Sequence, residues 1–299
     1  MKPVAFTAKD GHPLAIYRFD AEGPAKAHVI IASAMAVPQS FYAAFARYLA
    51  SCGYTTWTFD YRGIGESLTG SMRYVKADLG DWLLKDYDAV LHAVNEGAAG
   101  RPVFVVGHSF GGQVAPLLPS RERLAGLVNI AVGSGSLRHN TPRIRRSAPL
   151  MWHVLAPLLC PLFGYFPGAR LGVVGDLPTG VMFQWRRWCL TPDYLLTGEP
   201  GARAAYASAG YPVLALTFAD DELLLEDGSR MLHGAYQRSA VDYRVLEPAQ
   251  HELPRIGHFG FFKPQSESAL WPLVTTWLDD AASADSSDRH QAIRLPPEE

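Results

Sequence analysis

A serine flanked by glycines is the first residue whose surroundings suggest chemistry. The pentapeptide Gly107–Gly111 reads Gly-His-Ser-Phe-Gly, and it follows a valine-rich predicted strand, Pro102–Val106. A short predicted helix, which Pro116 or Pro119 would end, comes next. A serine hydroxyl is a weak nucleophile at neutral pH and must project from the backbone beside a base. A sharp strand-to-helix turn with small residues around the serine provides this, so the context predicts that Ser109 is a nucleophile rather than part of an ordinary turn.

A nucleophilic serine of this kind is followed along the chain by an acid and then by a histidine base. Beyond the start of the last predicted strands the candidates are His233, His251, His258 and His290. His258 lies in a glycine-flanked loop just before the closing helix, from where an imidazole can reach back over the sheet edge. His233 falls in a predicted helix and His290 in the C-terminal tail. We expect His258 to be the base, with His251, in a polar stretch typical of a solvated loop, as the alternative.

The acid is expected at the carboxyl end of the strand that precedes the histidine. The predicted strand Val213–Ala219 is followed directly by Asp220, Asp221 and Glu222. A carboxylate here would hold the imidazole in the required tautomer and stabilise its charged form. We expect Asp221 to have this role because the strand and turn place it one step beyond the edge. Asp220 is the alternative, or it anchors the loop.

Acyl transfer also needs two backbone N–H groups aimed at the oxygen that becomes negative. Phe110, the residue after the nucleophile, is expected to supply one of them. The second is expected from the small-residue segment Ser33–Ala36, with Met35 as the favoured donor. The alternative interpretation of this segment is a tight strand-to-helix turn without a catalytic role.

Strands that alternate with helices must position these residues. An Asp-Gly turn joins the first two predicted strands into a hairpin. The later pattern predicts a mostly parallel sheet with helices on both faces. Besides the elements named above, the predicted strands are Val4–Ala8, Leu14–Phe19, His28–Ala34, Thr55–Asp60, Leu127–Val132 and Val241–Leu246, and the predicted long helices are Leu79–Asn95 and Ser266–Leu278.

The 299 residues are expected to form one α/β core with an insertion. The core comprises 1–132 and 211–280, and 133–210 is predicted to be a helical cap over the carboxyl edge of the sheet, where open α/β folds bind ligands. Residues 281–299, rich in Ser, Asp and Pro, are expected to form a flexible tail.

Two groups of cap residues bear on the substrate. Aromatic side chains are candidates for a hydrophobic acyl pocket, although packing of the cap on the sheet is their main expected role. They are Trp152, Phe183, Trp185 and Trp188. A basic run is expected to be a solvated turn, with an anionic substrate group as the less favoured partner. It contains Arg138, Arg143, Arg145 and Arg146.

From Val4 to Asp279 the sequence resembles the α/β-hydrolase superfamily. The matching segments are Asp60–Ser67, Gly107–Gly112, Ala219–Glu222 and Gly257-His258. A closer likeness is to bacterial predicted serine hydrolases with Phe-Asp-Tyr-Arg-Gly-Ile-Gly, Phe-Gly-Tyr-Phe-Pro-Gly, Phe-Ala-Asp-Asp and Ile-Gly-His-Phe-Gly-Phe-Phe segments. The resemblance implies an α/β-hydrolase fold with a cap, and Ser109, Asp221 and His258 as a catalytic triad.

The chain departs from that pattern at one place. Many members of the superfamily have His-Gly after the strand that feeds the oxyanion hole, whereas this chain has Ser33-Ala34. This change still leaves a backbone N–H group that can donate a hydrogen bond. Relatives that remove halides or open epoxides use an aspartate nucleophile, so Ser109 argues against those reactions.

Composition narrows the class of protein. There are 27 Lys and Arg residues against 29 Asp and Glu residues, and this near-neutral balance argues against a nucleic-acid partner. No apolar run is long enough to span a bilayer and no secretory signal is visible, so we expect a cytoplasmic protein. Cys52, Cys160 and Cys189 lack metal-ligand spacing and are expected to be reduced thiols without a catalytic role.

These features predict a cofactor-independent serine hydrolase that cleaves an ester or thioester of a small, largely apolar acyl substrate. An acyltransferase that uses the same acyl-enzyme is the alternative within enzymes. A non-catalytic ligand-binding protein is the less favoured alternative. The sequence is also compatible with a homodimer.

Overall fold

An eight-stranded sheet forms the centre of the computed structural model, which describes residues 1–283. Its strands lie in the order β1-β2-β4-β3-β5-β6-β9-β10. The strands are β1 (Lys2–Thr7), β2 (Pro13–Phe19), β3 (Ala27–Ala32), β4 (Tyr54–Phe59), β5 (Val103–His108), β6 (Gly126–Ile130), β9 (Val213–Phe218) and β10 (Val241–Leu246). A separate antiparallel ribbon pairs β7 (Tyr165–Phe166) with β8 (Leu177–Pro178).

The sheet is mostly parallel, as predicted. β1 and β2 form the expected antiparallel hairpin, and β2 joins β4 in antiparallel fashion. From β4 to β10 every neighbouring pair is parallel. All residues of β3, β5, β6 and β9 are buried, because helices cover both faces of the central strands. Their carboxyl ends meet at one edge of the sheet, where ligands bind in open α/β folds.

Twelve α-helices accompany the strands in the described part of the chain. They are α1 (Ala43–Ser51), α2 (Asp88–Gly97), α3 (Phe110–Val114), α4 (Pro142–Leu150), α5 (Ala156–Phe163), α6 (Gly168–Leu171), α7 (Thr179–Cys189), α8 (Leu195–Gly198), α9 (Ala202–Ser208), α10 (Glu226–His233), α11 (Gly257–Gly260) and α12 (Glu267–Ser283). π-Helical segments Asp81–Tyr87 and Met151–Leu155 run directly into α2 and α5. No helix within residues 1–283 has the length and apolar character needed to cross a bilayer.

The closing helix is longer than predicted. It includes 281–283, which were expected to belong to the tail. Residues 284–299, and His290 with them, lie outside the described residues.

Two apolar clusters lie on the two faces of the sheet. One joins sheet residues such as Val105 to Trp152 and Trp188 of the inserted segment. The other packs α1 and α12 on the opposite face, with Phe45 and Trp271 in contact. The segment 133–210 therefore shares its core with the sheet. Its regular elements are helices apart from the β7–β8 ribbon, which sequence periodicity did not indicate because two-residue strands leave no pattern.

Candidate active site

Ser109 lies in a strained turn between β5 and α3. Its backbone has φ 47° and ψ −113°, a conformation that costs a non-glycine residue about 1–3 kcal/mol. A side chain on Gly107 would collide with the backbone of Gly112, and one on Gly111 would collide with the carbonyl group of Ala32. The two glycines therefore permit the close approach of strand and helix that makes the turn this sharp.

His258 and Asp221 form a buried pair at the carboxyl edge of the sheet. His258 Nδ1 lies 2.7 Å from Asp221 Oδ2, and both side chains are 4% exposed. The amides of Leu223 and Leu224 donate to Asp221 Oδ1 across 2.8 and 3.0 Å. An ionised carboxylate only accepts hydrogen bonds, so Nδ1 of His258 carries the hydrogen. In the neutral imidazole, Nε2 is then the nitrogen able to accept a proton.

The two acids beside Asp221 hold the histidine loop in place. Asp220 accepts hydrogen bonds from the amides of Ile256 and Gly257, both at 2.9 Å. Glu222 Oε2 accepts the amide hydrogen of His258 at 3.0 Å and pairs with Arg255 at the same distance. Three consecutive carboxylates thus bind one short loop, and Asp221 is the one placed on the imidazole.

His108 and Tyr42, for which the sequence predicted no role, connect the parts of this region. His108 Nε2 lies 2.9 Å from the carbonyl oxygen of His258, and its Nδ1 lies 2.8 Å from the Tyr42 hydroxyl oxygen. Burial holds the pKa of His108 well below its ordinary value. His108 adjoins Ser109 in the pentapeptide, a signal that was available, whereas Tyr42 belongs to no motif.

The turn after β3 carries the second expected amide donor. The amide of Ala34 donates a hydrogen bond to the Tyr42 hydroxyl oxygen at 2.9 Å. The amide of Val37 donates to the Ala34 carbonyl oxygen at 3.1 Å. Ala36 has a φ of 59°. Since the Ala34 amide is occupied, Met35 is the next residue of the turn whose amide is a candidate. Phe110 begins α3 and is buried.

The other histidine candidates lie elsewhere. His251 is half-buried at the end of a short 3₁₀ turn. His233 is buried in α10, where its Nδ1 lies 2.8 Å from Ser229 O and its Nε2 lies 3.0 Å from Asn129 Nδ2. Burial lowers the pKa of His233 to about 4. Among the histidines of residues 1–283, His258 is the one bonded to Asp221.

The cap aromatics differ in burial. Trp152 and Trp188 are almost fully buried, whereas Phe183 and Trp185 are half-buried. The rings of Trp152 and Trp185 meet edge to face at 5.0 Å, and Trp188 Nε1 donates to Glu199 at 3.0 Å. These contacts pack the cap helices against one another, and Trp152 and Trp188 also belong to the apolar cluster shared with the sheet.

The basic run divides into two parts. Arg138 pairs with Asp193 at 2.8 Å. Arg143, Arg145 and Arg146 are exposed on α4.

The three cysteines are free thiols. Burial raises the pKa of Cys160 to about 11 and that of Cys189 well above its ordinary value. Neither thiol is therefore suited to act as a thiolate nucleophile near neutral pH.

Comparisons with known proteins agree with this architecture. A model of the Hydrolase_4 family, described as serine aminopeptidase, S33, matches residues 23–163. No curated protein sequence matches the chain.

Solved structures of low sequence identity are similar over nearly the whole chain. A soluble variant of monoglyceride lipase from Saccharomyces cerevisiae, in complex with a substrate analogue, has a TM-score of 0.65 at 17% identity and covers 95% of this chain and 97% of its own. A putative aryl esterase from Burkholderia cenocepacia has a TM-score of 0.61 at 17% identity and covers 94% and 100%. A monoacylglycerol lipase from Paleococcus ferrophilus has a TM-score of 0.55 at 14% identity and covers 90% and 99%.

Proposed function

We propose that this chain, an α/β hydrolase, is a serine hydrolase that cleaves carboxylic esters or thioesters through an acyl-enzyme. The observation that carries the proposal is the 2.7 Å contact between His258 Nδ1 and Asp221 Oδ2 at the sheet edge that also presents Ser109 in a strained turn. Ser109 is the nucleophile, His258 the base and Asp221 the residue that orients the base.

The reaction proceeds in two acyl-transfer steps. Ser109 Oγ attacks the carbonyl carbon of the substrate while Nε2 of His258 takes the hydroxyl proton. The tetrahedral intermediate collapses, the carbon–oxygen or carbon–sulfur bond breaks, and His258 returns the proton to the leaving group. Water, deprotonated by His258, then attacks the acyl-enzyme and releases the acid and free Ser109.

Two amides stabilise the negative oxygen of each intermediate. Phe110 N, at the start of α3, is one donor and Met35 N is the other. Donors fixed in this way before the reaction provide much of the rate enhancement in acyl transfer. The hydrogen bond from Ala34 N to Tyr42 supports the assignment of Met35, because it fixes the preceding peptide of the same turn.

The substrate has a small, largely apolar acyl group. The half-buried rings of Phe183 and Trp185 are the proposed pocket contacts, with Trp152 and Trp188 behind them. The esterase and lipase named among the similar structures support an ester substrate. We further propose a cytoplasmic protein, which the three free thiols support.

Labelling with a fluorophosphonate probe tests the nucleophile. The protein should form an adduct on Ser109, and Ser109→Ala should form none. His258→Ala should lose labelling, whereas the matched control His251→Ala should label at the normal rate. An unlabelled wild-type protein, or loss of labelling in His251→Ala alone, would falsify the assignment.

Substrate class is tested with p-nitrophenyl esters of increasing chain length and an aminoacyl p-nitroanilide. We expect turnover of the esters, with free acid as the product. Preferential cleavage of the anilide would indicate a peptidase instead. Acylation of an added alcohol in place of free-acid release would indicate an acyltransferase.

A further inference from the structure

The long helical segment at the start of the cap has an unusual solvent-facing surface. It runs without a break from α4 through the π-helical turn into α5, 142–163. Its inward positions include Trp152, Ala156 and Cys160, all buried in the core shared with the sheet. On the outward side, large apolar side chains are exposed to solvent.

Four aliphatic side chains form a row along that outward side. Leu150, Val154, Leu158 and Leu162 are spaced four residues apart and are 56%, 47%, 60% and 62% exposed. The residue before each is also exposed, and three of these four residues are prolines: Pro149, Pro157 and Pro161. Every exposed position from Pro149 to Leu162 is apolar except His153. A surface helix of a globular protein normally carries charged residues at such positions.

Positive charge flanks this apolar row, and negative charge is missing from the surrounding sequence. Arg143, Arg145 and Arg146 are exposed in the turns of α4 that precede the row. No acidic residue occurs between Glu122 and Asp176. Basic residues beside exposed aliphatic residues on one helix are typical of a segment that lies in the interface of an anionic membrane.

We propose that the face formed by Leu150, Val154, Leu158 and Leu162, with the arginines of α4, docks the protein on an anionic lipid bilayer. The helix lies parallel to the membrane surface. Its aliphatic row enters the boundary between headgroups and acyl chains, and the arginines bind lipid phosphates. Two copies packed through this face would bury the leucines equally well but would leave the arginines without a counter-charge, so the charge pattern favours lipid over a second copy.

Two further exposed aliphatic residues lie in the chain segment that runs from this helix to a contact with the turn after β3. Leu171 and Val173, both exposed, follow the helix in the chain. Gly175 then packs so closely on the turn after β3 that a Cβ would lie 2.8 Å from the Ala36 carbonyl oxygen. The docking proposal itself does not depend on the proposed hydrolase activity.

Vesicle co-sedimentation tests the proposal with Ser109→Ala as the parent protein, so that the result is independent of catalysis. The probes are vesicles of phosphatidylcholine alone and of phosphatidylcholine with phosphatidylglycerol in a two-to-one mixture. The double variant Leu158→Asp/Leu162→Asp removes two of the row's side chains. Leu84→Asp is the matched control, because Leu84 is 50% exposed but lies in the helical segment Asp81–Tyr87 of the core.

We expect binding to the anionic vesicles and at least about a ten-fold loss of affinity in the leucine double variant. Arg145→Glu/Arg146→Glu should also weaken binding by about ten-fold or more at low salt, since each arginine near an anionic surface contributes about five-fold. Leu84→Asp should bind like the parent. Raising the salt concentration should reduce the arginine contribution but leave the aliphatic one.

Four results would overturn the proposal. The first three are the absence of binding to either kind of vesicle, equal binding to both kinds, and unchanged binding by the leucine double variant. The fourth is a dimer in light scattering that this variant dissociates, which would make the face an interface between copies. Circular dichroism checks that each variant is folded. We expect folded variants, because the substituted residues are exposed.

Discussion

His108 Nε2 lies 2.9 Å from the main-chain oxygen of His258, so the residue before the proposed nucleophile is bonded to the proposed base. A carbonyl oxygen only accepts, which places the hydrogen of neutral His108 on Nε2. Nδ1 must then accept, so the Tyr42 hydroxyl donates to it and receives the amide hydrogen of Ala34. One directed chain of hydrogen bonds therefore ties three loops of the site together.

Tyr42→Phe should break this chain at its centre. The change leaves the Ala34 amide and His108 Nδ1 without their partner in a buried site, which costs about 1–3 kcal/mol for each unsatisfied group. We expect a lower melting temperature and a several-fold lower kcat on p-nitrophenyl esters, with KM little changed because no substrate contact is lost. Thermal denaturation and steady-state kinetics measure both.

Tyr48→Phe is the control for that variant. Tyr48 is half-buried on α1, the helix that begins directly after Tyr42. Its hydroxyl oxygen lies 3.4 Å from Thr275 Oγ1, which is a weak contact. Tyr48→Phe should alter neither the melting temperature nor kcat appreciably. If Tyr42→Phe were as stable and as active as Tyr48→Phe, the directed chain would have no energetic role.

Neighbouring aspartates should give opposite phenotypes. Asp221→Asn removes the charge that orients His258 and favours the wrong tautomer, so kcat should fall about a thousand-fold or more with stability little changed. Asp220→Asn removes one of two acceptors for the amides of Ile256 and Gly257. It should lower the melting temperature and reduce kcat far less. A larger loss of kcat in Asp220→Asn would reverse the assignment of the two acids.

Motif and order along the chain predicted the mostly parallel sheet and its hairpin, and the structure shows both. The glycines around Ser109 predicted a sharp turn, because such a turn needs glycines at fixed positions, whereas the catalytic roles of Ser109, Asp221 and His258 stay predictions. Tyr42 could not be predicted, because its role arises from the way the residue before α1 approaches His108 of β5 in space. The apolar row on the cap was also missed, since exposed and buried leucines look alike in sequence until the facing side of the helix is known.

The glycines around Ser109 can be tested by adding a single methyl group. Gly111→Ala would push a Cβ into the Ala32 carbonyl group, where only backbone movement relieves the clash. We expect destabilisation by about 3 kcal/mol or more and loss of fluorophosphonate labelling. Gly97→Ala, at the exposed end of α2, would bring its new Cβ within 4 Å of no atom beyond the adjoining backbone, so it should be neutral or stabilising by about 0.5–1 kcal/mol. Equal stability of the two variants would contradict the steric account.

His233 should make unfolding pH-dependent. Burial lowers its pKa to about 4 in the folded protein, against about 6.5 in an unfolded chain. Between these values the unfolded state binds more protons, so the free energy of unfolding falls as the pH is lowered. One such group contributes a slope of about 1.4 kcal/mol per pH unit.

Burial lowers the pKa of His108 in the same direction, so the wild-type slope contains more than one group. Asp60 and Asp86, whose pKa values burial raises, act with the opposite sign at lower pH. The glutamine of His233→Gln does not titrate. The free energy of unfolding of this variant, measured in urea, should therefore depend on pH with a slope smaller than that of the wild type by about 1.4 kcal/mol per pH unit. Identical slopes for the two proteins between about pH 6.5 and 4.5 would show that His233 is not held neutral by the fold.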